Sequence, residues 1–276
     1  MATRYSPTIR RRRLSAELRR LRLAARMTLD DAAKSTELAR STVGNIESGF
    51  KKRPQLAEVR ALLDAYQVSD PEREQVLDFC RQARERDWRA KYRDVVKGEH
   101  VGFEAEASEI STWEPILVPG LLQTPDYVRE LAAAAEAHPV DADRLVDSRM
   151  RRQEILREDP PEFWAIFDET ALMRLADRPN VLRGQVEHLV AMSQEQTITI
   201  QITRADRMNP GTGGPFVITE FPDAMDPTIV HLETATDGIY LERPEDITFY
   251  RALFNRLRLA ALKPGETIDR LRHMID

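Results

Sequence analysis

Residues 28–49 read TLDDAAKSTELARSTVGNIESG, and this stretch predicts two short helices joined by a tight turn. We expect the first helix over 29–35 and the second over 40–48, with Gly49 ending the second helix in the left-handed conformation. Two helices that cross steeply need a small residue at their closest approach, and Ala33 is the predicted one. The apolar positions of this hairpin are Ala33, Leu38, Val43 and Ile46.

The second helix carries a polar face opposite its apolar positions, with the spacing of one stripe on a 3.6-residue helix. Arg can form two hydrogen bonds with guanine, and Asn can do the same with adenine. Any helix hairpin has a polar outer face, so the stripe alone also fits a plain structural hairpin. Its chemistry predicts base reading in a DNA major groove. The predicted DNA-binding residues are Arg40, Ser41, Thr42, Gly44, Asn45 and Ser48.

Apolar residues at helical spacing flank the hairpin on both sides. Leu18, Leu21 and Ala25 indicate a preceding helix, and the segment from Pro54 to Tyr66 indicates a following one. A fifth helix is predicted to begin at Ser69-Asp70-Pro71, with Asp70 as its cap. The N-terminal part is therefore expected to be an all-α domain of about five helices.

Residues 18–49 resemble the Cro/repressor-type (XRE) helix-turn-helix family, whose recognition helix ends in Ile-Glu-x-Gly. The resemblance implies a structural ion pair between Arg22 and Glu47, so Glu47 is not expected to contact bases. Three positions depart from the family pattern; the lost cap and the non-Gly left-handed residue each cost about 1 kcal/mol, which weakens the predicted hairpin without excluding it. They are Leu29, Glu37 at a turn position that favours Gly, and Ala39 at a position that favours Ser or Thr.

The charge is divided unevenly along the chain. Residues 1–60 carry 15 Lys and Arg against 6 Asp and Glu, a net of +9, and residues 61–97 carry eight of each. Residues 98–276 carry 18 basic against 32 acidic residues, a net of −14, so the whole chain has −5. A basic domain attracts phosphate, whereas an acidic one is repelled by DNA and is expected to point away from it.

Two basic clusters flank the hairpin. The run from Arg10 to Arg13 is predicted to be an arm that touches the DNA backbone or minor groove through Arg11 and Arg12, and a solvated tail is the alternative. The second cluster is expected to contact phosphate from the other side of the hairpin. It consists of Lys51, Lys52 and Arg53.

Several classes of protein are disfavoured by composition. The chain has no run of eighteen apolar residues, which argues against a membrane span, and its N-terminus lacks the apolar core of a secretory signal. Cys80 is the single cysteine and is expected to fill a core. We therefore expect a cytoplasmic protein.

A change of pattern near Gly98 predicts a domain boundary, with residues 1–97 forming the DNA-binding domain and residues 98–276 an α+β regulatory domain. The fifth helix is expected to continue to about Gly98 as a connector, or else to serve dimerisation. Residues 103–113, FEAEASEISTW, suggest a helix. Further helices are predicted from Thr124 to Ala137 and over 141–158, 181–193 and 244–262. Strands are predicted over 163–168, 197–203, 215–221, 228–234 and 238–242.

The last three strands are joined by short turns, which predicts an antiparallel meander within a mostly antiparallel sheet. The blocks EAEASEISTWEPILVPGLLQTPDYVREL, RMRRQEIL, DPPEFWAIFDETALMR and GPFVITEF resemble the C-terminal domain of an actinobacterial, antitoxin-like group of regulators common in streptomycetes. That domain has no established chemistry. The resemblance implies a transcriptional regulator that is often encoded beside a small partner protein.

No catalytic constellation is apparent in the sequence. The five His residues lack the spacing of a zinc site, and the Gly-rich stretch 209–216 lacks the Lys of a phosphate loop, so we expect no metal, no cofactor and no enzyme activity. The expected partners are double-stranded DNA with an inverted repeat, a second copy of the chain and a small protein; small-molecule sensing is the alternative. Partner or ligand candidates, which a solvated or core role would also explain, are Glu104, Glu106, Trp113 and Leu117.

Overall fold

The protein is described from a computed structural model, which describes residues 7–84, 91–92, 100–136, 138–157, 159–223, 226–234 and 238–276. The chain divides into two compact units, Met1–Ala90 and Lys91–Asp276. The fold prediction is confirmed, because the first unit is helical and the second is an α+β domain with a mostly antiparallel sheet. No helix of the described residues is both long and apolar enough to span a membrane.

The described part of the first unit consists of five helices around one core. Leu14, Leu18, Val43, Ile46 and Leu62 are fully buried there, because each lies on the inward stripe of its helix. Cys80 also lies in this core, and burial raises the pKa of its thiol. The helices are α1 (Pro7–Ala24), α2 (Leu29–Thr36), α3 (Arg40–Glu47), α4 (Leu56–Ala65) and α5 (Asp70–Ala83).

Local chemistry sets the ends of the hairpin helices. Thr28 begins α2 with a capping box, since its hydroxyl accepts from the Asp31 amide and Asp31 accepts from the Thr28 amide. Glu37 adopts the left-handed conformation at φ 58°, and Gly49 does so at φ 73° beyond α3. Ala39 begins α3 without a side-chain cap. The departures from the family pattern are therefore accommodated.

Two details of the predicted first unit need correction. The fully buried small residue of α2 is Ala32 rather than Ala33, which is only half-buried. The N-cap of α5 is Ser69 rather than Asp70, because Asp70 already lies in the first turn of the helix. A third correction concerns the length of α5, which ends at Ala83 with Arg84 as its C-cap rather than continuing as one helix to Gly98. Residues 85–90 and 93–99 of the predicted connector lie outside the described residues.

The basic run Arg10–Arg13 is not an extended arm but part of α1. Ile9 and Leu14 on either side of it are fully buried, so the segment folds onto the core as part of the helix. Arg10 itself is only 8% exposed, and the Arg13 guanidinium lies over the Phe79 ring, 6.0 Å from its centroid. The sequence pattern of four consecutive arginines hid this helical stripe.

The second unit begins with α6 (His100–Glu104) and β1 (Glu109–Glu114), so the helix predicted over 103–113 is wrong beyond its first turn. Both faces of β1 are buried, which removes the alternation that marks a strand, and the preceding Glu and Ala residues imitate a helix. The later helices are α7 (Pro125–Ala134), α8 (Pro139–Gln153), α9 (Thr170–Met173), α10 (Pro179–Met192), α11 (Pro244–Ala260) and α12 (Pro264–His273).

Five further strands complete a six-stranded sheet with the order β3-β2-β1-β4-β5-β6. The pairs β1–β2 and β2–β3 are parallel, whereas the other three pairs are antiparallel. The predicted strands and the meander β4-β5-β6 are confirmed. The strands are β2 (Glu162–Asp168), β3 (Ile198–Thr203), β4 (Phe216–Glu220), β5 (Ile229–Glu233) and β6 (Gly238–Leu241).

Each face of the sheet packs against its own helices. On one face Ile110, Phe167 and Ile200 lie in a core with side chains from α7, α10 and α12. On the other face Trp113 and Phe216 pack with side chains from α11. Because successive residues of β1 point to opposite faces, Thr112 and Glu114 share the first face with Ile110.

Candidate functional site

The polar face of α3 is open to solvent. Arg40, Ser41, Asn45 and Ser48 are exposed, while Thr42 and Gly44 are half-buried. A Cβ added to Gly44 would meet no atom within 4 Å, so the glycine leaves open surface in the middle of the stripe. The residues predicted to read bases therefore form one accessible surface, backed by the buried side chains of Val43 and Ile46.

Arg40 has a partner on the neighbouring helix. Its Nε lies 3.0 Å from Oδ1 of Asp30, and the side chains are 63% and 64% exposed. An exposed pair of this kind contributes little stability, about 0 to 1 kcal/mol. Arg40 can therefore exchange this carboxylate for another hydrogen-bond acceptor at small cost.

A buried ion pair supports the end of α3. Arg22 donates three hydrogen bonds to the Glu47 carboxylate, and it also donates to the Met27 carbonyl at 2.7 Å. The Tyr66 hydroxyl lies 3.3 Å from the same carboxylate, and burial, followed by the charge of Glu47, raises the pKa of Tyr66. Glu47 thus contacts groups of the protein interior.

The loop after α3 contains cations with different surroundings. Lys51 is bound to Glu58 at 2.6 Å, and its amide donates to the Asn45 carbonyl at 2.9 Å. Lys52 and Arg53 are exposed, and neither has an ion-pair partner among the residues that the structure describes. The loop therefore offers two accessible cations next to α3, and Lys51 holds the loop in place.

The second basic cluster of the sequence has a different setting. Arg11 and Arg12 are half-buried on α1 and take part in interactions within the protein. Their side chains do not extend from a separate arm. A role in DNA contact for them would require the α1 surface itself to approach the backbone.

The four C-terminal candidates occupy different environments in the second unit. Trp113 is 1% exposed and donates from Nε1 to the Gly211 carbonyl at 3.0 Å, so it belongs to the core. Glu104 is buried and bound to Arg152, whereas Glu106 and Leu117 are half-buried. The structure therefore does not gather these four residues into one exposed surface.

The sequence analysis did not identify Arg149 as a candidate site residue, although its position in the helical pattern indicates burial. Val146 and Leu156 are buried, and Arg149 occupies the position between them on the inward stripe of this segment. An arginine at an apolar-stripe position indicates a buried charge rather than a solvated face.

Comparison with known families gives two matches. Residues 13–76 match the family described as Helix-turn-helix domain, and this match supports a DNA-binding regulator. Residues 98–273 match the family described as Domain of unknown function (DUF5753). No curated protein and no solved structure matches the chain. Because the second match covers more than half of the sequence, the chain belongs to the DUF5753 family and carries its helix-turn-helix domain before that domain.

Proposed function

We propose that the protein is a cytoplasmic, sequence-specific transcriptional regulator that binds an inverted repeat as a homodimer and acts by binding rather than by catalysis. The exposed polar face of α3 carries this proposal, because Arg40 presents donors that can read a guanine edge, and Asn45 presents a donor and an acceptor that can read an adenine edge. One such helix contacts only a few base pairs. A two-fold dimer would contact two half-sites, whose centres would lie about 34 Å apart on the DNA.

The charge division supports a regulatory role for residues 98–276. Their net charge of −14 opposes contact with DNA, whereas residues 1–60 carry +9. We propose that this domain receives a small protein partner, as in the antitoxin-like regulators that the sequence resembles. Within the stretch 104–127, Ile116 is 53% exposed and offers an apolar contact.

Selection from a random duplex library by the full chain tests the DNA-binding proposal. We expect enrichment of one motif with two inverted half-sites, together with a dimer mass in light scattering on the selected duplex. Selection without any shared motif would contradict sequence-specific binding. A monomer on the selected DNA would contradict the dimer alone.

Capture of the adjacent gene product by the full chain tests the partner proposal. We expect capture by the parent protein, and a weakened complex for Ile116→Asp, because a charge in an apolar contact is costly to bury. Val140→Asp is the matched control, since Val140 is similarly exposed, at 60%, but lies outside the stretch 104–127. Equal capture by the parent and both variants would show that Ile116 is not part of the interface.

Small-molecule sensing by the second unit is a second candidate function, and one observation favours it. Titratable side chains of α8, α6 and β1 interact on one side of the sheet, and among the described residues no carboxylate lies within ion-pairing distance of the Arg149 guanidinium. A charge without a close partner in a folded domain is expensive, and a bound anion would offset that cost.

A further inference from the structure

Two arginine side chains of α8 converge on Gly120. A Cβ added to Gly120 would lie 2.5 Å from Nη1 of Arg149 and 3.0 Å from Nη1 of Arg152. A side chain at this position would therefore require the two guanidinium groups to shift. Two positive charges therefore meet in a small space, which is unfavourable unless anions lie beside them.

One of the two guanidinium groups is satisfied by the protein. Arg152 donates from Nε and Nη2 to the two carboxylate oxygens of Glu104, at 2.7 and 2.6 Å. The side chains of this pair are only 12% and 3% exposed. Such a bidentate geometry is what a structural arginine requires when it is buried.

Among the described residues, Arg149 has no bidentate ion pair of this kind. Across the described part of the chain, no carboxylate lies within ion-pairing distance of its guanidinium, although Glu104, Glu114 and Glu233 are near enough to act through their charge. Burial, and then repulsion by Arg152, lower the pKa of Arg149 to about 10. The residue is nevertheless half-buried rather than fully buried.

Two glutamates border Arg149 from the sheet. Thr112 pairs with Val217, and Val217 with His231, so continuing this register by two residues puts Glu114 and Glu233 in one row with a single strand between them. Two strand spacings separate their backbones by about 10 Å. Burial, followed by the charge of Glu233, raises the pKa of Glu114 to about 8. Near neutral pH Glu114 is largely a protonated acid, which can donate a hydrogen bond.

This arrangement favours one class of ligand. A free guanidinium provides two parallel donors for an oxyanion, and a protonated Glu114 can donate a third hydrogen bond. Glu104 and Glu233 already act on Arg149 through their charge, so the surroundings would repel a phosphate dianion more strongly than a singly charged carboxylate. The balance of charges therefore selects a carboxylate.

We propose that the second unit has a binding site for a small carboxylate, held by the guanidinium of Arg149 beside Gly120 and Glu114. The claim that a carboxylate binds here is independent of the proposed regulatory function. The claim that this carboxylate acts as an effector rests on that function. The bound carboxylate would neutralise the charge that the protein leaves unpaired.

Calorimetric titration of the full chain without DNA tests the site, with acetate and malonate as probes and sodium chloride keeping the ionic strength constant. Arg149→Gln removes the proposed ligand contact. Arg151→Gln is the matched control, because Arg151 lies on the same helix, is 54% exposed and contacts Glu154 at 2.9 Å. We expect measurable binding at millimolar concentration, weakened at least about tenfold by Arg149→Gln and less than twofold by Arg151→Gln.

Gly120→Ala provides a second variant, because its methyl group would occupy the position where the two guanidinium groups meet. We expect it to weaken carboxylate binding while the protein remains folded by circular dichroism. Equal binding by the parent, Arg149→Gln and Gly120→Ala would overturn the site, as would no binding by the parent. Binding of inorganic phosphate in preference to both carboxylates would overturn the assigned class. None of these outcomes depends on DNA binding, which the duplex selection tests separately.

Discussion

Arg22 donates hydrogen bonds from Nε and Nη2 to the two carboxylate oxygens of Glu47, at 2.8 and 2.9 Å, and thereby joins α1 to the end of α3. The two side chains are 10% and 5% exposed. The pair fixes the helix that carries the polar face, and it occupies the only acidic side chain of α3. Orientation of the reading surface and stability of the first unit therefore depend on the same contact.

Glu47→Ala should lower the free energy of unfolding of the first unit by about 3 kcal/mol, because it leaves a buried guanidinium without its carboxylate. Asp78→Ala breaks the exposed pair with Arg81 and should change stability by about 0.5 kcal/mol at most. Urea unfolding followed by circular dichroism measures both. Equal losses in the two variants would show that the Arg22–Glu47 pair has no special role.

Asp30→Asn should strengthen DNA binding by about two- to fivefold. The substitution releases Arg40 from its exposed partner at 3.0 Å and removes a negative charge beside the reading surface. Asp78→Asn makes the same charge change on α5 and is the control. Fluorescence anisotropy on the selected duplex gives the Kd values. Weaker binding by Asp30→Asn would mean that Asp30 holds Arg40 in its binding geometry.

Lys52→Met and Arg53→Met should each reduce the slope of log K against log salt by about one, because each removes a predicted phosphate contact. Lys51→Met should change the slope less and lower the stability more, since Lys51 is already bound to Glu58 at 2.6 Å. Titrations at four salt concentrations, on specific and random duplexes, measure the slopes. A larger slope change for Lys51→Met than for Lys52→Met would show that Lys51, rather than Lys52, contacts phosphate.

Glu114→Gln should remove a pH dependence of the second unit. The pKa of Glu114 is raised in the folded state to about 8 from an ordinary value of 4.5, so the folded protein binds the extra proton between these values. The contribution of this group to stability is fully present below pH 4.5 and is lost as pH rises toward 8. We expect the parent to lose stability relative to Glu114→Gln over this window, as measured by urea unfolding at pH 5, 6.5 and 8. A constant difference between the two proteins would contradict the raised pKa.

The sequence was most informative where local rules decide the structure. The spacing of Val43 and Ile46, the Gly49 terminus and the short turns of the meander predicted the helix hairpin and three antiparallel strands. These features depend on contacts between residues close in the chain. They could be predicted without knowing the tertiary fold.

Other features depend on residues far apart in the sequence, and these were missed. Strand β1 is buried on both faces, so its side chains show no alternation. The proposed carboxylate site brings together Gly120, Arg149 and Glu114, which lie on three separate segments of the chain. The run from Arg10 to Arg13 was predicted to be an arm because its packing depends on distant residues, such as Phe79 beneath Arg13. In each case tertiary packing decided the outcome.

The binding of Arg40→Ala and Asn45→Ala to the selected duplex and to random duplex tests the central claim most directly. Both residues are exposed on α3 and lie outside the core, so the variants should remain folded. We predict that each loses about 1 to 3 kcal/mol of binding free energy on the selected duplex and almost none on random DNA. Equal losses on both duplexes, or none on either, would contradict base reading by this face of α3.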